Sequence, residues 1–295
     1  MPDFGAAERR MLYYFQRGTE LRYNNETFIV EEADKPTCFH GEPKTDIYVL
    51  LKNRNGEQEV KISYKKENAD FLENKTSSER AEQLFGPNWR QILIESTTAI
   101  ADRFEEKTLI FKEGQRRTEK GAITLGWKFE LLNKPGGDLS GRMNLSPQQV
   151  YDVYAGTNLS LEKRDASVNG RVVKNSGVAD YILMTDRVGS AQDIINKMVP
   201  IEHYIVEHPN IYFACKALNY RTFRQKYDGN RPLSVQVDWK INNGKLGYDL
   251  IFDHPLEMNG TEMAERLLFC MDQLSIRTTD DINNRNSDMK NVYQG

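Results

Sequence analysis

No segment of the 295-residue sequence approaches the roughly eighteen consecutive apolar residues of a membrane span. The opening MPDFGAAERR also lacks the basic and apolar regions of a signal peptide, so no membrane partner is expected. Cysteine is scarce: Cys38, Cys215 and Cys270 are odd in number and far apart, which argues against a disulfide framework and for a reducing cytoplasm. Cys38-Phe39-His40 is the one close Cys/His pair, and no second pair stands at finger-like spacing to complete a zinc site. His203 and His208 are five apart and land poorly on one helix face. Phosphate-cradling glycine loops of Walker or Rossmann type are missing, as is a Gly-x-Ser-x-Gly elbow. A formal net charge of -3 shows no basic excess, so any nucleic-acid contact must rest on a local basic surface.

What is present is a globular composition, 39% hydrophobic and 28% charged, in a chain long enough for one large domain or two modest ones. The most informative stretch runs from Gly41 to Glu79. Asp46 to Lys52 and Glu57 to Lys65 both alternate apolar and polar residues, and Asn55-Gly56 between them is a strong hairpin signal. A two-residue turn there sets Arg54 opposite Glu57 and Asp46 opposite Lys65. Ile47, Val49, Leu51, Val60, Ile62 and Tyr64 then share the face to be buried, and Asp46, Glu59, Lys61, Ser63 and Lys65 share the other. Glu59 would lie six residues from Asp46, roughly 20 Å away at the usual rise, which is too far to share one metal ion.

Pro43-x-x-Asp46, a turn, Ser63-x-Lys65 and then Glu79 resembles the PD-(D/E)XK nuclease superfamily. It is closest to the variant among type II restriction endonucleases in which the second carboxylate has moved to the following helix. The resemblance covers about residues 28 to 105. It implies catalytic roles for Asp46, Ser63, Lys65 and Glu79, with Mg²⁺ held by Asp46 and Glu79. Hard oxygen ligands suit Mg²⁺, which needs only one or two protein carboxylates. Lys65 would position the attacking water and stabilise charge developing on the phosphate. Glu59 and Lys61 are the alternative catalytic pair, revived by a bulge or longer turn. Each residue also has a structural explanation: Asp46 as a turn residue, Lys65 as a solvated strand end, and Glu79 as the acid of a Thr76-Ser77-Ser78-Glu79 capping box.

Elsewhere, Ala6 to Arg17 is expected to be a helix, Leu21 to Val30 a hairpin turning at Asn24-Asn25, Asn88 to about Phe104 a helix, and Ala122 to Leu132 a strand. Ser146-Pro147 opens a short helix, Asn169-Gly170 marks a hairpin, and Ala191 to Ile205 reads as one amphipathic helix. Leu233 to Ile241 turns through Asn243-Gly244 into Leu246 to Phe252. Asn259 to Glu262 caps a helix ending near Leu274. These patterns predict an α/β protein with three regions. Residues 1–135 form a restriction-endonuclease-like mixed sheet flanked by helices, 136–276 a mixed α+β region for substrate recognition or dimerisation, and 277–295 a polar tail. Lys107 to Lys174 holds twelve Lys and Arg against seven Asp and Glu. Arg116, Arg117, Lys120, Arg164, Arg171 and Lys174 are therefore candidate phosphate contacts, although an ordinary mixed surface explains them equally.

The implied function is Mg²⁺-dependent cleavage of DNA by a sequence-specific type II restriction endonuclease, or a related phage or defence nuclease. A homodimer or higher symmetric oligomer is expected to match a palindromic site. The alternatives are a non-cleaving nucleic-acid-binding or structural protein, and a nuclease acting on RNA or branched DNA.

Overall fold

A computed structural model describes residues 4–67, 71–74, 76–185, 187–287 and 291–295. The fold is α/β, with mixed sheets flanked by helices. The described residues pack as two compact units, and each is built from two separate stretches of chain. Unit 1 takes Met1–Asp70 and Leu145–Asn210; unit 2 takes Phe71–Asn144 and Ile211–Gly295. The expected division at residue 135 is therefore replaced by an interleaved one. Pro135-Gly136-Gly137 marks a turn inside unit 2 rather than a boundary, because the strands on either side of it both serve the same sheet.

Unit 1 begins with α1 (Phe4–Tyr14), β1 (Glu20–Tyr23), β2 (Glu26–Asp34), β3 (Ile47–Asn53) and β4 (Gly56–Tyr64). The chain then supplies unit 2 with β5 (Phe71–Glu73), α2 (Ser78–Phe85), α3 (Trp89–Thr98), α4 (Ala101–Glu105), β6 (Ile110–Phe111), β7 (Ala122–Leu132) and β8 (Ser140–Arg142). It returns to unit 1 as α5 (Pro147–Ala155), α6 (Leu161–Arg164), β9 (Ser167–Val168), β10 (Arg171–Val172), β11 (Tyr181–Leu183), α7 (Ala191–Lys197), β12 (Val199–Pro200) and α8 (Ile201–Glu207). Unit 2 is completed by β13 (Tyr212–Arg221), β14 (Lys226–Tyr227), β15 (Val235–Asn242), β16 (Lys245–Ile251), α9 (Gly260–Gln273) and β17 (Val292–Tyr293).

The sheet of unit 1 has the order β1-β2-β3-β4-β11-β12. Strands β1 to β4 form an antiparallel meander, and β11 joins β4 in parallel. The alternation expected for the β3–β4 hairpin holds: Ile47, Val49, Leu51, Val60, Ile62 and Tyr64 are all buried, in one core with Met11 and Phe15 from α1 and its C-terminal end and Ile194 from α7. The register differs from expectation by two. Asn53 pairs with Gly56 and Ile47 with Ile62, so Arg54-Asn55 is the turn. The Asn53 side chain decides this, because its Oδ1 accepts the Asn55 and Gly56 amides at 2.8 and 3.2 Å and makes a local turn of its own. Side-chain period is two, so this shift leaves every residue on its expected face.

The single helix expected over 191–205 is two helices with an extended break. Pro200 donates no N–H and biases Val199 to extended backbone, and these two residues pair with β11 instead. The helix expected from Asn88 to Phe104 also breaks, at Ala99 and Ile100. Just before the break, the hydroxyls of Ser96 and Thr97 bond back to the Ile92 and Leu93 carbonyls at 2.7 and 2.9 Å, a pattern that loosens a helix.

Unit 2 is centred on β7, which runs antiparallel to β13 for its whole length and also pairs with β5, β6 and β15. Its core holds the stacked rings of Phe129 and Phe213, 5.2 Å apart, and Trp239, whose Nε1 donates to the Thr124 carbonyl at 2.9 Å. The Asn259-Gly260-Thr261-Glu262 capping box forms as expected. The polar tail does not: Ile282 is buried, and Val292–Tyr293 pairs in parallel with β6. Low mean apolarity concealed a few well-placed apolar residues and a strand partner 182 positions away.

Asp281 accepts the Arg277 and Thr278 amides, both at 2.8 Å, and these hydrogen bonds hold its carboxyl below the ordinary range. A depressed folded pKa contributes stability above the unfolded value of about 3.9, and this is lost as pH falls through the folded pKa. The stability advantage of the native chain over Asp281→Asn, measured by chemical denaturation, should therefore be present at pH 7 and shrink below about pH 4. A difference that stays constant across that window would contradict the charge-based account.

Candidate active site

Asp46 ends the loop that enters β3. Its amide donates to the Ile62 carbonyl at 2.9 Å, which continues the hairpin ladder and brings Asp46 beside Ser63. The carboxylate is largely covered and faces the end of β4. Its Oδ2 accepts the Tyr64 amide at 2.7 Å, the Ser63 hydroxyl approaches the same oxygen at 3.5 Å, and Lys65 Nζ lies 3.7 Å from it. Three of the four expected catalytic residues therefore converge.

The second visit of the chain to unit 1 holds them there. The Gly177 carbonyl accepts the Lys44 and Thr45 amides at 2.9 and 3.2 Å, just before Asp46, and the Leu183 carbonyl accepts the Lys65 amide at 2.8 Å. Between these two points, the Asp180 amide donates to the Lys61 carbonyl at 2.9 Å. Backbone bonds of this kind fix geometry without ordering a long side chain.

Glu79 belongs to unit 2. It is exposed in the first turn of α2, where Gln83 Nε2 donates to it at 3.2 Å. The cap of that helix is Ser77, whose Oγ accepts the Arg80 amide at 3.2 Å. Glu79 is thus one position short of the capping-box role the sequence suggested, since that role requires the third residue after the cap.

The alternative pair is placed elsewhere on β4. Glu59 is exposed, pairs with Leu50 in the ladder and accepts the Tyr48 hydroxyl at 2.7 Å. It stands four residues from Ser63, about 13 Å along the strand at the usual rise. That hydrogen bond accompanies burial of Tyr48, which is the larger cause of its raised phenol pKa. Lys61 is buried and forms an ion pair with Asp180 at 3.2 Å. Burial pushes the Asp180 carboxyl up, and Lys61 opposes that shift.

The chain matches no family model, no curated protein and no solved structure. Among the described residues, no group of three or more His, Cys, Asp or Glu side chains is arranged to hold a metal ion. Asp46 with the adjacent Ser63 hydroxyl is a hard-oxygen donor set. It fits a cation such as Mg²⁺ that retains most of its waters and takes a single protein carboxylate.

The candidate phosphate contacts are divided between the units. Arg116, Arg117 and Lys120 are exposed in unit 2, where Lys120 pairs with Glu113 at 3.1 Å. Arg164, Arg171 and Lys174 belong to unit 1; Arg171 pairs with Glu32, and Arg164 donates to Asn175 at 3.3 Å. Sequence reasoning missed Gly177, Leu183 and the Lys61–Asp180 pair. Only the regular Lys61-x-Ser63-x-Lys65 alternation hinted that Lys61 shares the site's face.

No helix among the described residues is long and apolar enough to cross a membrane.

Proposed function

We propose that unit 1 is the catalytic unit of a Mg²⁺-dependent endonuclease that hydrolyses DNA phosphodiester bonds. The observation that carries this reading is the convergence of the Asp46 carboxylate, the Ser63 hydroxyl and the Lys65 ammonium at one strand end. Asp46 would hold a cation that, when bound, would supply charge neutralisation at the phosphate and activate a water. Asp46 is oriented for this by the Tyr64 amide. Lys65 places a positive charge where negative charge develops on the phosphoryl oxygens and donates a hydrogen bond that orients the attacking water. Ser63 assists by donating a hydrogen bond to Asp46. Cleavage of both strands of a palindrome accords with a homodimer or higher symmetric oligomer.

The test is incubation of the purified chain with mixed duplex DNA in Mg²⁺ or in EDTA, followed by electrophoresis and end-mapping. Discrete Mg²⁺-dependent fragments are expected from a sequence-specific enzyme, and a smear from a nonspecific one. DNA, RNA and branched substrates all left intact would overturn the catalytic reading in favour of a non-cleaving binding protein. Glu59→Gln should retain cleavage within about twofold, as an exposed side chain about 13 Å along the strand contributes no contact to the reacting phosphate. A dead Glu59→Gln enzyme that still melts normally would move the site to the other end of β4.

A further inference from the structure

Two ionised side chains beside the candidate site have no part in the chemistry described above. Glu8, in α1, accepts Lys35 Nζ at 2.5 Å, and the pair is largely withdrawn from water, with side chains 16% and 31% exposed. Glu8 lies one helical turn before Met11, which is fully buried in the core of unit 1, so the packing of α1 fixes its carboxylate. Lys35 directly follows β2. Its amide donates to Asp34 Oδ1 at 2.8 Å, and Pro36 restricts its backbone from the other side. Burial favours the neutral amine, but the hydrogen bond and charge of Glu8, followed by the charges of Glu42 and Asp46, outweigh it and raise the Lys35 pKa. The ammonium thus stands within the field of Asp46 while its hydrogen bond goes to Glu8.

At Asp46 the Tyr64 amide, the Ser63 hydroxyl and the Lys65 ammonium all approach Oδ2. Oδ1 accepts none of the three and is the oxygen open to a cation. Without the Glu8 charge, two acids would compete for Lys35. Glu42 is exposed and screened by water, whereas the Asp46 side chain is only 13% exposed, so its attraction is screened less. A carboxylate with Lys65 on one side and Lys35 on the other would have little affinity left for Mg²⁺. We propose that Glu8 sequesters the Lys35 ammonium and thereby keeps Asp46 open to a divalent cation, an inference that rests on the nuclease reading and specifies how its cation site stays accessible. Glu8 is a positioning residue in this scheme, acting on Asp46 only through Lys35.

The experiment titrates the full chain with Mg²⁺ alone in a calorimeter, with Asp46→Asn as the blank, and measures cleavage of mixed duplex DNA against Mg²⁺ concentration in parallel. Glu8→Gln keeps the shape of the side chain and removes its charge. It should weaken Mg²⁺ binding about fivefold, the lower end of typical couplings between two sites, and excess Mg²⁺ should recover the lost cleavage rate. Lys35→Met should shift Mg²⁺ affinity by less than about twofold in the native background, yet restore native affinity in the Glu8→Gln background. Equal effects of Lys35→Met in both backgrounds would show two independent charges and overturn the sequestering role, as would a Glu8→Gln chain with native Mg²⁺ affinity. A native chain that takes up Mg²⁺ at Asp46 but cuts no nucleic acid leaves the sequestering role standing while the hydrolytic reading fails. A native chain whose heat matches the Asp46→Asn blank overturns the sequestering role, and the cleavage assay then decides the hydrolytic reading by itself.

Discussion

Asp46→Asn should lower Mg²⁺-dependent cleavage by about 10²- to 10⁴-fold, the range typical of removing one group that acts directly on the reacting phosphate or its nucleophile. The substitution is chosen because it separates charge from architecture. Asp46 Oδ2 accepts the Tyr64 amide at 2.7 Å, and an asparagine carbonyl oxygen can accept the same bond. The cation affinity of the carboxylate and its attraction for Lys65 are lost, while the hairpin end is retained. Melting temperature should therefore stay close to that of the native chain, and DNA binding in EDTA should persist. Lys65→Met should cause a similar loss of rate, and Ser63→Ala a much smaller one, since its hydroxyl only approaches Asp46 at 3.5 Å. Retention of native activity by a stably folded Asp46→Asn variant would remove Asp46 from the mechanism.

Gly177→Ala should be the most destabilising single-methyl change near the site. A Cβ at this position would come within 1.8 Å of the Lys163 carbonyl oxygen and 3.0 Å of Pro43 Cβ. The first obstacle is backbone, so no rotamer change can relieve it. Gly177 also donates to the Arg164 carbonyl at 2.9 Å while its own carbonyl accepts the Lys44 and Thr45 amides. Displacing it therefore shifts the chain that delivers Asp46. Overpacking of this kind costs about 1–3 kcal/mol, sometimes more, and each kcal/mol lowers the melting temperature of a domain this size by roughly 2–4 °C. Cleavage should fall along with stability. Gly189→Ala is the control, because a Cβ there meets nothing within 4 Å. Equal melting temperatures for the two variants would show that the loop at Gly177 yields without cost and does not position the site.

These two positions differ in how far they can be read from sequence. Asp46, Ser63 and Lys65 are legible because alternation assigns faces, and a register error of two leaves faces unchanged. That is why the group converges although the turn lies at Arg54-Asn55 rather than at Asn55-Gly56. Gly177 has no such signal. Its importance comes from Lys163 and Lys44, fourteen and 133 positions away, and a lone glycine in a loop looks like any other. Glu79 is a different case. It follows Lys65 by fourteen residues, and between the two the chain passes from unit 1 to unit 2, a crossing that leaves no local pattern in the sequence.

The sequence by itself determined the local elements of this protein: the β3–β4 hairpin and its buried face, the Ser146-Pro147 and Asn259 helix starts, and the turns at Asn169-Gly170 and Asn243-Gly244. Each depends on side-chain period or on bonds between residues a few positions apart, so each leaves a short-range pattern. The tertiary structure alone decided the interleaving of the two units, the parallel seat of β11 on β4 and the docking of β17 on β6. Parallel pairing between segments more than a hundred residues apart has no local signature, because its stabilisation comes from burial against partners that the intervening chain does not encode. The ends of the candidate site were legible, while the Gly177 to Leu183 stretch that holds them in place was settled only by the fold.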